Sequence, residues 1–311
     1  MAQVKPKILI NAADRVTFHN EYLRATVEEY FDIVDYDPEQ DYSAGEYVVM
    51  THSGFTHTWY RNLVDSGAKL IYDAFWEHHV SDQLTEQYQG SALVAAAKNY
   101  FWINEYYTNQ QAQSTGYQPH RQYQHLALLP IRQLKPHRQQ LLTALGNTLD
   151  QIVYSIVEQG RYLPNDIQPN EGAFDRYFNP AWYDSTYFSI VSETTTYSKY
   201  LLHITEKTFK PIAYQHPYIV FGQTGTLAYL HELGFESFEN LFDESYDAVE
   251  DQQIRLRLIV DNVNNFKLEP YDQLTLNKLE HNHHLFYNAS RVKSMLVTYI
   301  INPILEYVNK T

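Results

Sequence analysis

The sequence predicts an α/β protein built from two parallel, doubly wound sheets. Three observations carry the prediction. Short apolar runs alternate with amphipathic helical patterns through the first half, the alternation restarts after Pro130, and runs at 187–191 and 218–221 read as buried strands. In order, 7–12 reads as a strand, 20–31 as an amphipathic helix, 47–51 as a strand, 58–64 as a helix ended near Gly67, and 70–75 as a strand. Runs at 99–103 and 126–129 extend that first sheet. Pro136-His137-Arg138 then opens a helical stretch over 139–145, and 151–157 follows as the first strand of a second sheet. Residues 162–182, rich in Pro, Asn, Asp and Gly, read as a long loop of the kind that often carries function. A helix ending at Gly234, an acidic connection over 243–247, a helix over 249–265 and a helical remainder over 274–310 complete the chain. The expected division is an amino-terminal domain over 1–130 and a second domain with carboxyl-terminal helices over 131–311.

Composition narrows the chemistry. The chain has 311 residues, 44% hydrophobic, enough to bury two cores. It shows no apolar run long enough for a membrane span and no apolar segment of a signal peptide near Met1, so a soluble, cytoplasmic protein is expected. Zero cysteines exclude a disulfide scaffold, a thiolate zinc site and a cysteine nucleophile. A formal charge of −14 disfavours a protein that coats nucleic acid through a broad basic surface, while leaving room for a local phosphate pocket. The 28 tyrosines suit sugar-binding clefts and interfaces, although most are expected in cores and on half-buried strand faces.

The stretch Ile204-Thr205-Glu206-Lys207-Thr208-Phe209-Lys210-Pro211 holds the strongest functional signal. Thr205 reads as an N-cap and Glu206 suits a first turn, yet Lys207 and Lys210 place cations where they oppose the helix dipole. An anion at that helix start would resolve the conflict. The setting is strand, loop, helix, strand, which in an α/β sheet is the edge where nucleotides bind. A surface helix with an ordinary cap is the bland alternative, outweighed by the surrounding string from Glu193 to Gly225. Glu193, just past a buried strand, reads as a site residue or a cap of the Thr194-Thr195-Thr196 turn.

His203-Ile204-Thr205-Glu206-Lys207 resembles the Tyr-(Ile/Val)-Thr-Glu-Lys signature of α-1,3-fucosyltransferases, which are GT-B glycosyltransferases. Phe188-Ser189-Ile190-Val191-Ser192-Glu193 is similar in place and character to their strand ending in Glu-Asn-Ser. Residues 204–247, with Lys210-Pro211-Ile212-Ala213, His216-Pro217-Tyr218-Ile219, Gly225-Thr226-Leu227 and Leu233-Gly234-Phe235, also resemble glycosyltransferase-like proteins of tailed phages. The resemblance covers the last half of the chain. It implies a GT-B-like fold, two Rossmann-type domains whose parallel sheets face across a cleft, with the acceptor domain first and the donor domain second. It implies an inverting, metal-independent transfer of a sugar from a nucleotide-sugar co-substrate, with no cofactor, in the host cytoplasm if the protein is phage-encoded. By resemblance Glu206 binds the donor ribose and Lys207 its diphosphate. Arg138, at the start of the first helix of the second domain, matches an arginine that also meets the diphosphate. His203 departs from the family tyrosine that packs near the base, which leaves the base open, a GDP-sugar being one option.

An inverting transfer needs a group that takes a proton from the acceptor hydroxyl. Candidates at strand ends of the first domain are, in order, Glu77, Glu105 and Asp73, each of which could equally be a structural or solvated acid. Trp76 and Trp102 beside them could form sugar-stacking walls or belong to the core. Two rival classes remain open. Asp35-Tyr36-Asp37 would hold a metal in a GT-A-type glycosyltransferase, although Pro38 and the run to Asp41 read more naturally as an acidic turn. Alternatively the chain keeps the fold to bind glycan or to assemble with partners without catalysis. His78-His79 and His281-Asn282-His283-His284 lack a convincing metal-binding spacing, and no Walker lysine or glycine-rich dinucleotide fingerprint occurs. The acceptor, whether a glycan, a protein hydroxyl or a modified nucleobase, and the oligomeric state are not specified by the sequence.

Overall fold

The computed structural model describes residues 5–11, 21–43, 46–52, 59–73, 92–95, 99–109, 121, 123–164, 179–197 and 202–309. Contacts divide the chain into two compact units, Met1–Thr108 with Ala289–Thr311, and Asn109–Asn288.

The first unit carries a five-stranded sheet in the order β2-β1-β3-β4-β5, formed by β1 (Lys7–Ile10), β2 (Asp32–Asp35), β3 (Tyr47–His52), β4 (Lys69–Asp73) and β5 (Ala92–Ala95). Every pairing is parallel. Helix α1 (Glu21–Val27) joins β1 to β2 and α2 (Arg61–Asp65) joins β3 to β4. Ile8, Leu9, Ile10, Val49, Met50 and Ile71 are buried, as a parallel sheet covered on both faces requires.

The second unit repeats the winding with four strands. β6 (His125–Leu129), β7 (Ile152–Tyr154), β8 (Thr186–Ser192) and β9 (Tyr218–Phe221) lie in the order β7-β6-β8-β9, all parallel. Both sheets therefore start from a central first strand, step outward once, then reverse to the other side. Between these strands lie α4 (Pro136–Leu145), α5 (Pro180–Asp184) and α6 (Glu206–Ala213), and α7 (Thr226–Glu232), α8 (Gln252–Asn264) and α9 (Gln273–Phe286) follow β9. Among the described residues no helix is long and apolar enough to cross a membrane.

Three expectations change. Tyr100-Phe101-Trp102-Ile103 is not a strand but the start of α3 (Tyr100–Thr108), buried on several sides. A short apolar run cannot distinguish a buried helix from a strand by periodicity alone. Residues 125–129 pair with β7 and β8 and so open the second sheet instead of closing the first. The division also differs from a boundary at 130 at both ends: the second unit begins at Asn109, and α10 (Ala289–Leu296) and α11 (Asn302–Asn309) pack with the first unit. Lys69 Nζ donates to Val308 O at 2.7 Å and Lys293 pairs with Glu29 at 2.8 Å. Ile300, Ile301 and Ile304 are buried there, which gives these amphipathic helices their reason to return.

Candidate functional site

In the second sheet the connections from β6 and β8 leave in opposite directions, so the carboxyl ends of these adjacent strands form the topological switch point, where α/β sheets bind ligands. Two helices begin beside it. α4 opens with Lys135 as N-cap and Pro136 in its first turn, has no side-chain cap, and carries no acid in the first turn. α6 opens with Thr205 as N-cap, whose hydroxyl accepts from Lys207 N, and with Glu206 in its first turn.

Glu193 joins these two helices. Only 1% exposed, it follows β8 directly. Its carboxylate accepts hydrogen bonds from Thr205 N at 3.0 Å, Thr205 Oγ1 at 2.5 Å, Thr208 Oγ1 at 2.6 Å and Thr194 N at 3.3 Å. The anion expected at the start of α6 is thus supplied in part by the chain itself. Its backbone carbonyl accepts from His137 Nε2 at 3.0 Å and from Arg138 Nη2 at 3.1 Å. Arg138 also donates to Ser192 O at 3.1 Å and Gln133 O at 3.0 Å, while its buried Nε meets no partner among the described residues. Gly222 lets the chain after β9 pass close to Thr226 and Val220. A Cβ there would lie 3.1 Å from Thr226 Oγ1, 3.3 Å from Val220 Cγ1 and 3.5 Å from Glu193 Cγ.

The charges are arranged unevenly. Glu206 and Lys207 form an ion pair at 2.5 Å, with side chains 17% and 22% exposed. Burial works to raise the Glu206 carboxyl, but Lys207 and Lys210 outweigh it and hold the acid down at about 2. Lys207 Nζ also reaches Thr205 Oγ1 at 3.1 Å and Thr194 Oγ1 at 3.3 Å. Lys135 Nζ donates to Thr194 O at 3.1 Å. Burial, and then the neighbouring charges of Arg138 and Lys207, lower the pKa of Lys135. Burial also lowers His137 to about 4, so this imidazole is neutral at pH 7 and its Nε2–H is the donor to Glu193 O. His203 lies two residues before the cap, its backbone N–H held by Gln223 Oε1 at 2.7 Å. The second unit therefore brings together Arg138, Glu193, Thr205, Glu206 and Lys207, with His203 and Lys210 on the flanking residues. Sequence reasoning missed Lys135, His137, Thr194, Thr208 and Gln223. The signal for Lys135 was a lysine before Pro136, at a helix start with neither a capping side chain nor an acid.

The first-unit candidates are placed differently. Glu77 lies outside the described residues, as do His78 and His79, and Asp73 closes β4 with its side chain outside them. Glu105 is not at a strand end: it sits within α3, 1% exposed, and accepts from Asn104 Nδ2 at 3.3 Å. Asp35 receives Arg24 Nη1 on both oxygens at 3.1 Å, and Asp37 accepts from Glu39 N at 2.9 Å, so this pair holds a local arginine contact and its own acidic turn. On α9, His281 Nε2 contacts Gly234 O at 2.8 Å and His283 is buried, its pKa lowered to about 4.

No protein-family model matches the chain, and no curated protein matches it in sequence. Among solved structures the chain is similar to an α1,3-fucosyltransferase crystallised with GDP-fucose, at 12% identity and a TM-score of 0.47, over 100% of this chain and 93% of that one. A similarity of that size carries no functional argument. Two parallel sheets of like winding, each with helices between its strands, define the fold from the strand order itself.

Proposed function

We propose that the chain is a glycosyltransferase whose second unit binds a nucleotide-sugar donor at the carboxyl edge of its sheet. The observation that carries the reading is the meeting of Lys135 and Lys207 at Thr194, beside Arg138, with no carboxylate in ion-pair contact with Lys135 or Arg138 among the described residues. A cationic cluster at a switch point, compensated only in part by Glu206, suits a diphosphate. The ionised Glu206 carboxylate beside it accepts hydrogen bonds only, which suits the vicinal hydroxyls of a ribose. The motif 203–207 supports the same assignment by its likeness to fucosyltransferases.

In this reading the diphosphate leaves with charge gathering on its oxygens, and cations fixed in advance stabilise that charge without reorganising. No metal is required for that step. The transfer is inverting, with Glu77, Glu105 or Asp73 taking the acceptor proton. The acceptor is a glycan, a protein hydroxyl or a modified nucleobase, the last disfavoured by a net charge of −14.

Thermal shift against a panel of nucleoside diphosphates and nucleotide sugars, with and without EDTA, on wild type and Lys207→Ala, tests the reading, because a bound donor raises Tm by mass action. Stabilisation by one nucleotide, lost in Lys207→Ala and indifferent to EDTA, is expected. No stabilisation by any nucleotide would favour a non-catalytic binding protein, and stabilisation that EDTA abolishes would favour a metal-dependent enzyme.

A further inference from the structure

We infer that Lys135 is the residue by which this site distinguishes a diphosphate from a single phosphate group. The inference deepens the donor-binding reading and rests on it. Lys207 and Lys135 hold Thr194 by different atoms, Lys207 its hydroxyl at 3.3 Å and Lys135 its carbonyl at 3.1 Å. Lys207 already has a counterion in Glu206 at 2.5 Å. The hydrogen bonds of Arg138 among the described residues all go to backbone carbonyls, which fix the guanidinium in place. Among the described residues Lys135 makes one bond, to one carbonyl, which leaves two further N–H donors. Among the described residues Lys135 therefore has no carboxylate partner and, unlike Arg138, whose guanidinium is held in place by three backbone carbonyls, it has only one acceptor.

A half-buried ammonium set against two like charges destabilises the free protein. Such an arrangement persists when a ligand compensates it, as functional sites commonly sacrifice stability. One phosphoryl group beside Lys207 and Thr205 adds its charge to a pair already close to neutral. A second phosphoryl group brings charge that Lys135, held at the Thr194 carbonyl, is placed to take up with its remaining N–H donors. A charge-assisted hydrogen bond of that kind corresponds to roughly tenfold or more in affinity.

Isothermal titration of the full chain with inorganic pyrophosphate and with orthophosphate tests this, using wild type, Lys135→Met, Lys135→Arg and Lys207→Met, alongside the Tm of each free protein. Wild type should prefer pyrophosphate. Lys135→Met should lose about tenfold or more in pyrophosphate affinity, with orthophosphate affinity unchanged and free Tm equal or higher, and Lys135→Arg should restore the preference. Pyrophosphate binding that survives Lys135→Met but not Lys207→Met would overturn the inference and leave the donor-binding reading standing. A free Lys135→Met protein that melts several degrees lower would make the lysine structural and overturn it too. Wild type without a preference for pyrophosphate would end the inference, and if no nucleoside diphosphate stabilised the chain either, the donor-binding reading would fall with it.

Discussion

Glu193 and Thr205, twelve residues apart, form a two-point contact: Thr205 N and Thr205 Oγ1 donate to the two carboxylate oxygens at 3.0 and 2.5 Å. The end of β8 is thereby fastened to the start of α6, and the backbone of Glu193 carries the same connection on to His137 and Arg138 of α4. Three elements that the switch point brings near one another are locked by one acid. Its carboxylate serves Thr194, Thr205 and Thr208, so Glu193 holds the residues of the proposed donor site in place.

Replacing Glu193 should therefore cost stability before it costs chemistry. Glu193→Ala leaves the Thr205 N–H and two threonine hydroxyls buried without their acceptor, a loss of about 3 kcal/mol. Urea unfolding should show a clearly lower midpoint, with Glu193→Gln intermediate because the amide keeps one acceptor oxygen. An unchanged midpoint in Glu193→Ala would mean that the carboxylate does not hold α6.

Glu206 should make the fold sensitive to strong acid. Its folded pKa of about 2 lies below the usual 4.5. The ion-pair contribution is then fully present above pH 4.5 and lost as the pH falls towards 2, with a size on the order of 2–3 kcal/mol at neutral pH. Wild type should melt above Glu206→Gln at pH 7, and the gap should narrow steadily between pH 4.5 and the lowest pH at which both remain folded. A gap independent of pH in that window would remove the ionised carboxylate from the explanation.

A second, separate acid response should come from three histidines. Burial lowers His137 and His283 to about 4 and His216 to about 3, each from 6.5. The folded chain binds fewer protons than the unfolded one below pH 6.5, so stability is greatest above that value and falls as the pH drops towards 4. Each histidine contributes up to about 1.4 kcal/mol per pH unit in that range. His283→Leu, which also removes a buried Nε2 with no partner among the described residues, should flatten the decline of Tm between pH 7 and 5. A slope equal to that of wild type would show that His283 is not buried neutral.

The legible parts of the fold and the site are those whose meaning is local. β8 and β9 could be read because Phe188, Ile190 and Val191, like Tyr218 to Phe221, are buried in continuous runs bounded by turn residues. The cap at Thr205 and the acid at Glu206 could be read from neighbours in the chain. Tyr100 to Ile103 could not, since four apolar residues fit a buried strand and a buried helix equally. The partner of Lys135 lies 59 residues away and that of Lys69 lies 239 residues away, so neither the second ammonium at Thr194 nor the return of α11 to the first unit has a signature within any window of sequence.

The proton acceptor is the remaining point on which the proposed reaction can fail. Glu105 is buried within a helix, so its carboxyl is either a core acid satisfied by neighbours such as Asn104 or a base kept dry for catalysis. The two roles separate on replacement by the isosteric amide. A catalytic base lost to Glu105→Gln should lower kcat by about 10²–10⁴-fold while Tm and donor affinity stay near wild type. A core acid should instead lower Tm with kcat of the folded fraction unchanged. Running Glu77→Gln and Asp73→Asn beside it turns the comparison into an assignment, because one base per transfer means that only one of the three should show the kinetic loss without the thermal one. If donor turnover survives all three, the base lies elsewhere, and if donor binds with no turnover in the wild-type chain itself, the protein uses its donor site for recognition instead of transfer.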